Sequence, residues 1–157
     1  MRSLAALVNF PRMAGRVTKS TLEFPYSRTV GPVVGAFLAG LAEHRIVGIR
    51  TRDGKVLVPP LEYDPNTGDT LDELVDVGPG GVVESWTWVE EPTSKHPLQK
   101  PFAFALIKPD GADTAMVHAV DAGSIDEMAT GMRVTPRWRA EPHHLVDDLE
   151  AWEPAES

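Results

Sequence analysis

The 157-residue sequence contains no cysteine. Disulfides, thiol nucleophiles, thiolate-held zinc and iron–sulfur clusters are excluded together, because each needs sulfur. No apolar run approaches the roughly 20 residues that cross a bilayer. The opening stretch Met1-Arg2-Ser3-Leu4-Ala5-Ala6-Leu7-Val8 is too short in apolar residues for a secretory signal, so a cytoplasmic protein is expected. Cations are also in deficit: Lys+Arg 15 against Asp+Glu 23 gives a net charge of −8. Phosphate-rich partners normally require a basic face, so nucleic acid is disfavoured as the main partner. What is present, 42% hydrophobic and 24% charged residues, suits one globular domain able to bury its own core.

The charge is unevenly spread. Residues 1–20 carry Arg2, Arg12, Arg16 and Lys19 with no acid, whereas residues 141–157 carry six acids and no Lys or Arg. Both ends therefore read as arms, 1–25 and 141–157. Within the second, Leu145, Leu149 and Trp152 fall at i, i+4, i+7, the spacing of a short docking helix or of a frayed end.

Between the arms, Gly31-Pro32 opens a helix over residues 32–43, with proline tolerated at the first position. Val34, Phe37, Leu38 and Leu41 form its apolar stripe. The β-branched run 45–51 follows, then an Asp53-Gly54 hairpin turn and a return strand stopped by Pro59-Pro60. Asp64-Pro65-Asn66-Thr67-Gly68 is a second tight turn. Residues 71–77, 82–90, 102–108, 114–120 and 132–138 read as about five strands, with Ser124 and Glu127 as a capping box before the last. This order suits a small Greek-key barrel.

Few residues suggest chemistry. Trp86 and Trp88 share a strand face, where aromatic pairs stack bases or, better suited to this charge, pack against protein. Ser85, His118 and Asp121 make a hydrolase triad only on paper, since no strained nucleophile turn accompanies them. His143-His144 sits in the acidic tail, and His44 and His96 lie at a helix end and in a loop, where imidazoles usually face solvent. Arg28, Arg45, Arg50, Arg52 and Lys55 cluster around the first hairpin, where they suit coenzyme A phosphates, an acidic partner, or plain solvent exposure.

The ordered set Ser27-Arg28-Thr29-Val30-Gly31-Pro32, Phe37-Leu38-Ala39-Gly40-Leu41, Ile46-Val47-Gly48-Ile49-Arg50, Val58-Pro59-Pro60, Gly81-Val82-Val83-Glu84-Ser85-Trp86-Thr87, Pro101-Phe102-Ala103-Phe104-Ala105-Leu106-Ile107 and Gly131-Met132-Arg133-Val134 resembles the zinc-ribbon plus OB-fold proteins of domain-of-unknown-function family 35. The resemblance covers roughly residues 24–140. It implies a mainly β protein: helix and rubredoxin-like zinc-ribbon finger over 26–76, then a five-stranded OB-fold barrel over 77–140. The family's ribbon carries C-x-x-C-G and C-P-x-C-G; here those knuckles offer only Thr51, Asp53, Asp64 and Thr67. Threonine is a poor zinc ligand and carboxylates favour harder ions, so the finger is expected to be degenerate and metal-free.

The family accompanies thiolases and related acyl-CoA enzymes. The resemblance therefore implies a non-catalytic accessory subunit of a thiolase-like enzyme (sterol-carrier-protein-type thiolase or acyl-CoA aldolase), in a 2:2 assembly. It implies no cofactor of its own, a coenzyme A ester at most shared with the partner, and no membrane. Steroid side-chain or aromatic degradation is the pathway by analogy. Phe37, Leu41, Trp86 and Trp88 join the cations as interface candidates. The alternatives are a single-stranded nucleic-acid-binding OB-fold protein and a stand-alone acyl-CoA thioesterase or hydratase.

Overall fold

The structure, a computed structural model, describes residues 29–156; the arm over 1–25 and Arg28 lie outside the described residues. At φ 80° Gly31 turns the chain into α1 (Pro32–Ala42), a backbone geometry that glycine adopts without a Cβ penalty. The buried face of α1 is Val33, Phe37, Gly40 and Leu41. Phe37 and Leu41 keep their expected places, but Val33 replaces Val34 and the stripe rotates accordingly, leaving Val34 and Leu38 half-buried. At its end Arg45 N–H bonds Gly40 O at 2.8 Å and His44 N–H bonds Leu41 O at 3.0 Å, with His44 left-handed at φ 60°. This Schellman pattern usually places glycine where His44 stands. The imidazole instead stacks on Trp138, ring centroids 5.4 Å apart, tying the helix end to the distant strand that carries Trp138.

A three-stranded antiparallel sheet follows, with β1 (Ile46–Arg50) between β2 (Val56–Leu57) and β3 (Glu73–Val77). Arg50 pairs with Val56, so a five-residue loop over 51–55 joins β1 and β2, not the expected two-residue turn. Residues 73–77 pair with β1 along their length. That strand thus belongs to this sheet, and the fifth barrel strand must come from elsewhere.

It comes from the acidic tail. The barrel comprises β4 (Gly81–Val89), β5 (Phe102–Pro109), β6 (Met116–Val120), β7 (Arg133–Trp138) and β8 (Leu149–Pro154), closed in the order β4-β5-β6-β8-β7. β8 runs antiparallel to β7 and parallel to β6, and residues 149–154 are neither a docking helix nor a frayed end. The physical reason is burial: Leu149, Ala151 and Trp152 are all fully enclosed, which an arm could not achieve. The expected capping box at Ser124 also fails, because the Ser124 side chain makes no cap bond to the 3-10 turn Ile125–Glu127.

One hydrophobic core crosses the junction between sheet and barrel. Phe37, Leu41, Ile46 and Val58 pack in the same cluster as Val83, Ile107 and Trp152. A smaller cluster lies outside the barrel wall, where Leu98 of the 91–101 loop covers Phe102, Ala119 and Ala151. His96 belongs to that lid, with its ring edge-on to Phe102 at 5.8 Å.

Candidate functional site

Strand alternation decides the triad. Ser85 faces Leu106, which faces Val117, so these three share one face of the β4–β5–β6 sheet. His118 faces Ala105 on the other face. The serine and imidazole thus leave the sheet in opposite directions. Burial lowers the pKa of His118 below its ordinary value, leaving a neutral ring beside Val146 and Leu149. Asp121 is no partner for it either, since Lys100 Nζ and Arg137 Nη1 each hold its Oδ2 at 2.8 Å.

The hairpin cations are similarly engaged. Arg45 bonds Asp76 at 2.7 Å and Glu43 at 2.6 Å, Arg50 bonds Glu73 at 2.8 Å, Arg52 lies 3.3 Å from Asp69, and Lys55 lies 3.4 Å from Asp53. Every arginine among the described residues has a carboxylate partner. Among the described residues, each cation of the patch expected for coenzyme A phosphates therefore has a carboxylate beside it.

The knuckle residues hold their loops through hydrogen bonds. Buried Thr51 receives Lys55 N–H on Oγ1 at 3.0 Å, and its hydroxyl donates to Asp53. Buried Asp64 accepts Asn66 N–H at 2.8 Å and Thr67 N–H at 3.3 Å on Oδ1, an Asx turn. The Thr67 hydroxyl donates to Asp69 at 3.1 Å, and the Arg52–Asp69 pair then bridges one loop to the other. Two hydroxyls and two carboxylates engaged in holding their own loops do not fit a tetrahedral zinc site, which takes thiolate or imidazole ligands. We expect a strong chelator, or added zinc, to leave the melting temperature within about 1 °C. Thr51→Val, which strips the buried acceptor from Lys55 N–H, should lower stability by about 1–3 kcal/mol. Thermal melts of the two chains with and without metal check both.

Among the described residues, one His/Asp trio brings ligand atoms within 4.8 Å: His143, Asp147 and Asp148. Buried Asp148 uses its oxygens on the backbone N–H groups of His143 at 2.9 Å, His144 at 2.7 Å and Leu145 at 3.2 Å. These bonds hold its carboxyl below the usual range against the opposing effect of burial. The carboxylate shapes the turn into β8, which explains the trio without an ion.

The aromatic and apolar candidates divide. Phe37 and Leu41 are core, with 5% and 0% exposure, and are not available at the surface. Trp86 and Trp88 lie opposite Ala105 and Ala103 on β5 and pack half-buried against the barrel core. Among the described residues, the apolar surfaces that the sequence did not announce include two worth naming. On the barrel wall, Leu106 and Val117 are directly paired and exposed. Beside α1, a groove of ≈ 470 Å³ is lined by Val33, Tyr63, Leu71 and Leu74. Tyr63 and Leu74 escaped the reading because single exposed apolar residues next to a turn are common on any surface.

Residues 74–139 match the family model described as the C-terminal OB-fold domain of ChsH2. The match covers less than half of the chain and takes in β3 to β7. β8 lies beyond the match, although it closes the same barrel. Two solved structures share the architecture. A protein of unknown function from the DUF35 family of Sulfolobus solfataricus is 20% identical at a TM-score of 0.56, over 68% of this chain and 77% of that one. The Ltp2-ChsH2(DUF35) aldolase is 19% identical at a TM-score of 0.62, over 82% of this chain and 98% of that one. No curated protein matches the chain. The OB-domain match and the two solved structures agree on the fold, an OB-fold barrel joined to a smaller sheet. Among the described residues no helix is long and apolar enough to cross a membrane.

Proposed function

We propose that this chain is a non-catalytic accessory subunit of a thiolase-like enzyme, a sterol-carrier-protein-type thiolase or an acyl-CoA aldolase. The observation that carries the reading is the match of its OB domain to that of ChsH2, with a shared fold in the Ltp2-ChsH2(DUF35) aldolase. The site chemistry supports it. His118 is separated from Ser85 by the sheet, Asp121 is bound by two cations, and the hairpin arginines are paired. The partner supplies nucleophile and base, and any coenzyme A ester sits at the interface between the chains. The ribbon-like sheet, without metal, acts as a contact element, in a cytoplasmic assembly of two copies of each subunit within acyl-CoA metabolism.

Co-expression with a thiolase-like protein of the same genome tests this reading. A stable complex is expected on size exclusion, with thiolytic or retro-aldol turnover changed at least about tenfold relative to the partner alone. Separate elution with a fully active partner would refute it, as would turnover of a coenzyme A ester by this chain alone.

A further inference from the structure

The groove beside α1 differs from the rest of the surface in two ways. Its floor is apolar, built from buried Val33 and Leu71, and its walls are Tyr63 and Leu74, exposed by 58% and 42%. Glu62 and Asp72 also line it, and neither takes part in an ion pair among the described residues. Such a site suits a segment that presents apolar side chains and cations together and brings no carboxylate of its own. A free anionic ligand, by contrast, would meet two carboxylates that no cation among the described residues pairs with.

We propose that the groove is occupied by residues 1–20 of this same chain. That segment carries Arg2, Arg12, Arg16 and Lys19 and no Asp or Glu, among Leu4, Leu7, Val8, Phe10, Met13 and Val17. The described chain starts at residue 29, and the groove is bordered by Pro32, so the segment is tethered a few residues from its docking site. The eight residues 21–28 reach about 27 Å when extended, more than is needed to turn back across the start of α1. Tethering supplies a local concentration in the millimolar range, which favours this occupant over a second copy at ordinary protein concentration. The apolar residues cover Tyr63 and Leu74, and the cations lie against Glu62 and Asp72. The inference does not rest on the accessory-subunit reading.

The absence of native cysteine makes the test clean, since any disulfide formed is the engineered one. In the full chain, Leu74→Cys is combined in turn with Leu7→Cys, Phe10→Cys or Val17→Cys. Val117→Cys, exposed by 64% and on the barrel wall, is the reference partner. Tyr63→Cys serves as a second anchor should Leu74→Cys fold poorly. At least one pair with Leu74 or Tyr63 should close within the chain about tenfold faster than the same position with Val117. Glu62→Lys with Asp72→Lys should slow that closure at least about threefold, and more so at low salt. Equal rates with the reference would overturn the proposal. Disulfides that form only between two molecules would overturn it in favour of a second copy.

Discussion

Trp152→Ala is expected to cost about 3–5 kcal/mol of folding stability, a large share of what a domain of this size possesses. The indole has 0% exposure and lies at the seam where β8 meets β6 and β7. Val120 is its partner across the parallel seam and Pro136 across the antiparallel one. Room for the ring is made by Gly81, where a Cβ would come within 3.4 Å of Trp152 Cζ3 and 3.0 Å of Ile107. Truncation to alanine thus opens a cavity that close-packed strands cannot fill. Among the described residues Trp152 Nε1 has no hydrogen-bond partner, and a buried unpaired donor carries a cost. Trp152→Phe removes that donor while keeping most of the ring, and should cost less than half as much. Urea melts of the two variants, followed by the remaining tryptophans, measure the difference. A loss below about 1 kcal/mol for Trp152→Ala would mean that β8 is not a wall of the barrel.

That strand is also the part of the fold that sequence patterning hid best. Leu145, Leu149 and Trp152 mimic a helical repeat, and the surrounding acids suggest a solvated arm. In fact Leu149 and Trp152 enter the inner core, whereas Ala151 packs on the outer cluster with Phe102. The strand is buried on both sides and shows neither period cleanly. Strands with one wet face were legible: β5 alternates buried Ala103, Ala105 and Ile107 with the more accessible Phe104, Leu106 and Lys108. The helix start was legible because Gly31-Pro32 has a local cause. The site was less so. The hairpin cations could be read as residue types, but Arg50 is neutralised by Glu73, 23 residues away, and Arg45 by Asp76, 31 residues away. Only the β1–β3 register brings those charges together, and nothing local encodes that register.

Part of the acid limb of stability should be set by the carboxylate Asp121. Burial alone would raise its pKa, but hydrogen bonds and charge from Lys100 and Arg137 outweigh that and hold it below the ordinary carboxylate value. A group more acidic in the folded than in the unfolded chain stabilises the fold fully above its unfolded pKa, about 3.9 for aspartate. The contribution is lost as pH falls through the lower folded value. Arg137 also binds Glu150 at 2.9 Å and Glu153, joining β7 to β8 and to the end of β6, where Asp121 N–H bonds Trp152 O at 2.8 Å. The melting temperature should therefore decline modestly as pH falls below about 6.5, where the unfolded chain protonates His118 and the folded chain resists it, and drop more steeply below about pH 4. Arg137→Met keeps the side chain's length but strands Asp121 with Lys100 alone, and should cost about 1–3 kcal/mol at neutral pH. The same variant should flatten the acid drop, because less of the native depression of the Asp121 pKa remains to be lost. Asp121→Asn should flatten it further, leaving the part due to Asp148, Asp110 and Asp53, whose hydrogen bonds depress their pKa values in the same direction. Parallel melts from pH 8 to 3 decide the matter. If Arg137→Met lowers the whole curve without changing its shape, the arginine acts by packing over β8 and not through the charge of Asp121.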